Sequence, residues 1–215
     1  MELLVVIAII ASLAALSTPA ITSALQRAAL TTSINNARQI SLALNNYAID
    51  FNGNYVNDQN GPIAFPGANT NTSEGCFTVL LNSGMLTTAD EGLFYYNELA
   101  NAGIAAVEGN NDGTLAANEN GYSYVKGLFN TSNGPAPLVT TKLQTAGGTG
   151  LTGTFYSAIW NHKAVIARVN NSVSAERISG AAGTDGSVLE AGAAGGGSSA
   201  PSDVFGFAVG GDVLQ

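Results

Sequence analysis

A short segment in the middle of the chain concentrates oxygen-bearing side chains. Residues 108–119 read EGNNDGTLAANE, with such residues at positions 1, 3, 5 and 12, a glycine at position 6 and a leucine at position 8. An EF-hand calcium loop shares this pattern, because calcium needs six or more hard oxygens around a sharply bent backbone. Position 9 is an alanine and no helix pair flanks the segment, so the alternative is an Asn/Asp/Gly turn. The candidate calcium ligands are Glu108, Asn110, Asp112, Thr114 and Glu119.

The chain has one cysteine, Cys76, and one histidine, His162. A thiol and an imidazole can form a nucleophilic pair, but no sequence signature of such catalysis surrounds either residue. A lone cysteine cannot form an intrachain disulfide or a zinc site, so we predict a small buried side chain. His162 is predicted to lie in a hairpin turn. With no nucleotide-binding loop or serine-nucleophile motif either, we expect no enzymatic activity and no cofactor besides the calcium considered above.

An acidic residue opens the most apolar part of the chain. From Leu3 to Leu25 there are twenty-three consecutive uncharged residues, and Glu2 precedes them. Roughly 20 such residues span a bilayer as a helix. A secretory signal peptide would begin with basic residues, and a plain membrane tether would not need Glu2. A carboxylate at the edge of an apolar helix is costly unless it is paired, so it indicates a function.

Charge excludes several classes of partner. The chain carries 7 Lys and Arg against 15 Asp and Glu, a formal net charge of −8. Binding to nucleic acid or to anionic lipid requires clustered basic residues, and here they are scattered. We therefore expect no nucleic-acid partner.

The helical pattern continues beyond the apolar run but becomes one-sided. Apolar residues recur at spacings of three and four, and Asn52-Gly53 supplies a stop signal. Pro19 removes one backbone donor, so a kink or local unwinding is expected there. A helix over residues 2–51 would be a rod of about 75 Å at 1.5 Å per residue. The one-sided positions are Leu30, Ile34, Ala37, Ile40, Leu44, Tyr47 and Phe51.

These residues resemble the N-terminal segment of type IV pilins and of type II secretion pseudopilins. The run ELLVVIAII from Glu2 matches the family's glutamate and the apolar stretch after it, and Pro19 matches the family's proline. The segment ARQISLAL from Ala37, followed by Tyr47, is similar to pilin-like proteins of planctomycete and verrucomicrobial bacteria. The specific match covers roughly the first quarter of the chain.

The resemblance implies how the subunit would be processed and assembled. The family places four residues and a cleaved basic leader before its glutamate, whereas Met1 directly precedes Glu2; we expect either a start upstream of Met1 or a different beginning. Prepilin peptidase and an assembly machinery are implied, and so is pairing of Glu2 with a neighbour's N-terminal amine. The implied assembly residues are Glu2, Leu3, Leu4, Val5, Val6, Ile7, Ile9, Ile10, Leu13, Leu16 and Pro19.

The remainder predicts an α+β head domain. Residues 1–25 form the apolar helix, 26–53 its amphipathic continuation, and 54–215 the head, with a Gly/Ser-rich loop at 179–203. We predict a type IV pilin-like fold in which the long helix packs on an antiparallel sheet. We predict a helix at Phe77–Met85 and either a helix or a strand at Glu91–Leu99. The predicted strands are Tyr122–Leu128, Thr154–Trp160, Lys163–Val169 and Val204–Val209. The second and third of these strands are predicted to form a hairpin across Asn161-His162.

Together these features indicate a structural subunit of an extracellular type IV pilus-like filament, anchored in the inner membrane before assembly. Its partner would be further copies of itself, packed through the N-terminal helices. Two alternatives stay open: a type II secretion pseudopilin, which shares every N-terminal feature, and a singly anchored exported binding domain.

Overall fold

The protein joins one long helix to antiparallel β-structure. A computed structural model describes residues 2–58, 60–66, 69–101, 107–116, 118–132, 134–146, 153–156, 159–160, 162–177 and 212–214. The predicted α+β class is confirmed, because a long N-terminal helix packs on an antiparallel sheet.

Helix α1 comprises Glu2–Asp50 and runs through Pro19 without interruption. Of the kink or local unwinding expected at Pro19, the unwinding does not occur: a proline removes a single backbone donor, and the flanking turns carry the helix across. The predicted stop is confirmed. Asn52 adopts the left-handed conformation (φ 54°), and the Gly53 N–H donates to the Ala48 carbonyl at 2.7 Å, a Schellman-type helix end.

The main sheet is antiparallel throughout, with strand order β6-β5-β2-β1-β7. Strands β3 and β4 form a separate antiparallel pair. Helix α1 packs against β5, β6 and β2. The strands are β1 (Tyr122–Lys126), β2 (Pro137–Thr141), β3 (Leu143–Ala146), β4 (Gly153–Phe155), β5 (Lys163–Arg168), β6 (Val173–Arg177) and β7 (Asp212–Leu214).

Short helices connect α1 to the sheet. The predicted helix near Phe77 is confirmed as α3 (Ser73–Asn82). It begins earlier than predicted because the Thr72 side chain caps it, accepting a hydrogen bond from the Gly75 N–H. The ambiguous segment after residue 90 is helical, split between a 3₁₀ helix and a short α-helix. The remaining helices are α2 (Gly61–Ala64), the 3₁₀ helix (Thr88–Phe94) and α4 (Glu98–Asn101).

The predicted hairpin across Asn161-His162 is wrong. Strand β4 ends at Phe155 and pairs with β3, whereas β5 lies between β2 and β6. His162 does lie in a turn. Its φ of 62° and the φ of 44° at Trp160 are left-handed values, which an extended strand through these positions would not allow. The hairpin partner of β5 is β6, joined through Asn171 (φ 62°). The predicted strand Val204–Val209 and the loop 179–203 lie outside the described residues.

The core lies between α1, α3 and the sheet. Its largest side chains are aromatic, and Phe77 of α3 touches rings from two other elements. The Phe77 centroid lies 4.9 Å from that of Phe94 and 5.9 Å from that of Tyr124. Aromatic pairs of this kind contribute beyond their buried area, so α3 is held to β1 and to the 3₁₀ helix.

Candidate assembly surface

The first half of α1, residues 2–28, which we call the bare segment, contacts no other part of the described structure. Every side chain from residue 2 to residue 28 is exposed, including all the predicted assembly residues. Leu3 is 77% exposed and Leu16 is 76% exposed. An 18-residue window of α1 has a mean hydropathy of 2.4 with none of it buried, so by length and composition the helix can cross a membrane. An apolar surface of this extent marks contact with lipid or with another protein.

Four hydroxyl groups in the C-terminal part of this bare segment form hydrogen bonds within the helix itself. Each of the four donates to a carbonyl three or four residues earlier, so it needs no water molecule as acceptor. Such back-bonding suits a non-aqueous environment, where an unpaired donor is costly. The bonds run from Ser17 Oγ and Thr18 Oγ1 to Ala14 O (3.1 and 2.8 Å), from Thr22 Oγ1 to Thr18 O (2.7 Å) and from Ser23 Oγ to Pro19 O (3.0 Å).

A buried hydrogen bond marks where α1 joins the head. The Ser33 hydroxyl lies 2.8 Å from the Tyr122 hydroxyl, and Tyr122 Oη also lies 3.1 Å from the Ser33 carbonyl. Both residues are fully buried. Burial raises the pKa of Tyr122 well above its ordinary value, so the phenol keeps its proton. The bare segment therefore projects from a point that is fixed to β1.

A second polar cluster, which we call the helix clamp, ties α1 to the β5–β6 turn. Asn171 Oδ1 accepts hydrogen bonds from Ser41 Oγ (3.2 Å) and Asn45 Nδ2 (2.8 Å). Asn45 Oδ1 in turn accepts from the Tyr55 hydroxyl at 2.9 Å, and burial raises the pKa of Tyr55 to about 12. Sequence reasoning missed this cluster; the Asn-Asn dipeptide before Ser172 is the signal that could have indicated the turn.

The proposed calcium loop wraps around a carboxylate from elsewhere. Glu91 of the 3₁₀ helix is fully buried, and its oxygens accept hydrogen bonds from the backbone N–H groups of Asn111 and Gly113. These donors converge on an anion. Within the described residues, no group of three or more His, Cys, Asp or Glu side chains is arranged to hold a metal ion.

The candidate ligands themselves serve local turns. Asn110 Oδ1 accepts from the Asp112 N–H at 3.0 Å, and Asp112 Oδ1 accepts from the side chain and backbone of Thr114. The hydrogen bonds from the Thr114 side chain and backbone lower the pKa of Asp112. Glu119 Oε2 accepts from the Ala116 N–H at 2.8 Å, and Glu108 is exposed.

Calcium binding by this loop stays a prediction, which a calorimetric titration of the full-length protein tests directly. Heat of binding that disappears in Asp112→Asn would support the calcium site. A flat titration would leave the turn as the role of the segment.

Cys76 and His162 show no joint site. Cys76 is fully buried in α3, with Sγ 3.5 Å from the Thr70 carbonyl. Burial raises its thiol pKa far above the ordinary value, so the thiol stays protonated and is a poor nucleophile. The predicted buried side chain is confirmed. No hydrogen bond joins Cys76 to His162 in the described part of the chain.

The fold and these sites were also compared with known proteins. Searches against protein-family models, curated proteins and solved structures found no match.

Proposed function

We propose that the protein is a structural subunit of a type IV pilus-like filament, assembled through the bare segment of α1. One observation carries the proposal: a single unbroken helix is exposed throughout residues 2–28 and carries no charge from Leu3 to Leu25, yet it is buried on one face against the head from Ser33 onward. A helix that is apolar all round needs lipid or other helices on every side.

Two successive environments satisfy that requirement. Before assembly, the bare segment lies in the inner membrane; after assembly, copies of the same segment surround one another in the filament core, outside the cell. Small residues allow close approach between helices. They are Ala8, Ala11, Ser12, Ala14 and Ala15.

Glu2 gives this packing a direction. Its carboxylate is exposed at the start of the apolar segment, and a desolvated carboxylate is stabilised by a cationic partner. In a filament that partner is the N-terminal amine of a neighbouring copy. Repeated head-to-tail contacts then generate an open helical polymer.

Electron microscopy of filaments sheared from the native cells tests the proposal. We expect density for a central bundle that fits α1, with the heads outside. The protein found only as a membrane-bound monomer, with no filament containing it, would contradict the proposal and favour a singly anchored domain.

Disulfide cross-linking in intact cells provides a second test, because native Cys76 is buried. The double variant Val5→Cys/Leu16→Cys places two thiols on the bare segment, which is exposed at both positions. Neighbours on several sides would yield a ladder of oligomers after oxidation. The unsubstituted chain is the matched control and should stay monomeric in denaturing gels. If a thiol-reactive label shows that both introduced cysteines are reactive and no ladder forms, the result would count against helix bundling.

A further inference from the structure

Three side chains from separate segments meet where β1 begins and β2 ends. Glu74 comes from the first turn of α3, Asn120 directly precedes Gly121 and β1, and Lys142 follows β2. Glu74 Oε1 lies 3.6 Å from Lys142 Nζ and accepts a hydrogen bond from Asn120 Nδ2 at 3.3 Å. Lys142 Nζ also donates to the main-chain oxygen of Asn120 at 3.1 Å. One carboxylate oxygen therefore contacts both an amine and an amide nitrogen.

The cluster is shielded from water. Asn120 is 1% exposed, and the side chains of Lys142 and Glu74 are 12% and 10% exposed. The Tyr96 ring packs directly against Gly121, the residue after Asn120, because a Cβ placed on Gly121 would fall 2.5 Å from a Tyr96 ring carbon. An amine and a carboxylate in such surroundings carry a large desolvation cost.

We propose that Lys142 and Asn120 form an intramolecular isopeptide bond, with Glu74 as the proton carrier. Lys142 Nζ attacks Asn120 Cγ, the Cγ–Nδ2 bond breaks, and the amide nitrogen leaves as ammonia. The products are one Nζ–Cγ amide and one molecule of NH₃, so atoms balance and no oxidant or reductant takes part. Glu74 accepts a proton from Nζ and delivers a proton to Nδ2, both of which its Oε1 already contacts.

The backbone of Tyr122 activates the amide. Asn120 Oδ1 accepts from the Tyr122 N–H at 2.9 Å, and Nδ2 donates to the Tyr122 carbonyl at 2.7 Å. The first bond stabilises the negative charge that develops on Oδ1 during attack at Cγ, as in an oxyanion hole. The second fixes the plane of the amide. Lys142 Nζ contacts the main-chain oxygen of Asn120, so attack at Cγ of the same residue requires the lysine side chain to turn away from that oxygen.

A competing reaction of Asn120 is suppressed. An Asn-Gly sequence can lose ammonia through attack by the following backbone nitrogen, which produces a succinimide. Here the Gly121 N–H donates to the Phe94 carbonyl at 2.7 Å, so that nitrogen is held in a different bond. The lysine is therefore the available nucleophile at this amide.

The link would join adjacent strands of the main sheet. Tyr122 and Thr141 are direct partners in the β1–β2 register. Asn120 lies two residues before Tyr122 and Lys142 one residue after Thr141, so the bond would form just beyond that pair. It would close the chain between β1 and β2 covalently, in a protein whose single cysteine cannot do so. This inference does not depend on the proposed filament.

Intact mass spectrometry of the full-length protein, purified from cells in detergent, tests the proposal. We expect a mass lower than the sequence mass by one ammonia, and a branched peptide linking Asn120 to Lys142 after digestion. Glu74→Gln and Lys142→Arg should each restore the full sequence mass. Lys126→Arg is the matched control, because Lys126 pairs with Asp58 elsewhere, and it should keep the ammonia loss.

Other outcomes separate the alternatives. Asn120→Asp should lose water instead of ammonia and form the same branched peptide, which checks the chemistry in a near-isosteric variant. The proposal would be overturned by a wild-type protein that has the full sequence mass and is folded, as shown by buried-tryptophan fluorescence. So would an ammonia loss that persists in Lys142→Arg and is cleaved by hydroxylamine, since that result identifies a succinimide.

Discussion

Single carboxylates hold segments of the head that are distant in sequence. Glu91 reaches the loop at Asn111 and Gly113, and Glu74 reaches Asn120 and Lys142. A buried carboxylate is stable only when donors satisfy its oxygens. Each of these side chains therefore stabilises a segment outside its own helix.

Replacing Glu91 tests this role at one residue. Glu91→Gln puts an amide NH₂ where a carboxylate oxygen accepts a backbone N–H, so we expect a loss of about 2–3 kcal/mol in the free energy of unfolding. Urea titration of the full-length protein in detergent, followed by fluorescence of the single tryptophan, Trp160, measures it. The control Glu108→Gln changes an exposed carboxylate and should cost less than about 0.5 kcal/mol. Equal losses would contradict the assignment.

Asp58 makes a small acid-dependent contribution. Hydrogen bonds from Thr70 and then Lys126 lower its pKa, so its contribution is present above the unfolded value of about 3.9 and is lost as pH falls through the folded value. Because its side chain is 61% exposed, we expect less than about 1 kcal/mol. Urea titrations from neutral pH down to acid pH should show a shallower acid loss for Asp58→Asn than for the wild type. Identical pH profiles would rule out this contribution.

At the scale of elements, α1 is one helix in two environments. Its packed half alternates buried and exposed positions at helical spacing, with Leu44 fully buried and Leu42 46% exposed. The bare half has no such alternation. The helix clamp and the Ser33–Tyr122 contact fix the packed half to β1 and to the β5–β6 turn.

The pair Leu42 and Leu44 separates burial from helix propensity. Leu44→Ala leaves a cavity in the core cluster to which Leu44 belongs, so we expect a loss of about 2–5 kcal/mol in the free energy of unfolding. Leu42→Ala makes the same chemical change on the exposed face and should cost less than about 1 kcal/mol. The same tryptophan-monitored urea titration compares them. A loss at Leu42 matching that at Leu44 would mean that position 42 is covered in the purified protein.

Sequence reasoning predicted elements whose signal is local. Helix α1, its end at Asn52-Gly53, α3, β1 and β5 were all indicated by periodicity, β-branched content or stop residues. Strands β2, β3, β6 and β7 were not predicted. Pro137 begins β2, and β6 contains Ser174 and Glu176 among its few apolar residues. Their strand conformation comes from pairing with β5, a long-range contact.

The candidate site likewise combines features that the sequence predicts with features that only the fold creates. A run that is apolar all round can be read from composition, so the exposure of residues 3–25 was predictable. The helix clamp and the cluster of Glu74, Asn120 and Lys142 were not, since their members lie far apart in sequence. Only the fold brings these polar side chains together, and no rule of sequence spacing predicts their contacts.

At the scale of the whole molecule, the head's core and the bare segment share none of the described residues. The core cluster of buried residues begins at Ala37, the half-buried Ala29 and Leu30 pack against it, and the bare segment ends before them. The head's stability should therefore be insensitive to the sequence of the bare segment.

A double variant tests this separation. Leu13→Ala/Leu16→Ala removes side chains that are 63% and 76% exposed, so the free energy of unfolding of the head should change by less than about 0.5 kcal/mol. Filament yield from sheared cells should fall, because the lost side chains reduce apolar contact between neighbours. Unchanged filament yield would show that these positions do not contribute to packing, and a large loss of head stability would show that the two parts are coupled.

The unbroken passage of α1 from the bare segment into the head also has a mechanical consequence. If lipid or neighbouring helices hold residues 2–28, a force along the axis of α1 is transmitted to the head through continuous helix, with no flexible joint in between. The packed half then loads β5 and β6 in shear, so many side-chain contacts and the helix clamp at Asn171 resist together. Such a head should withstand tension along the helix far better than a sideways force that peels α1 away one turn at a time.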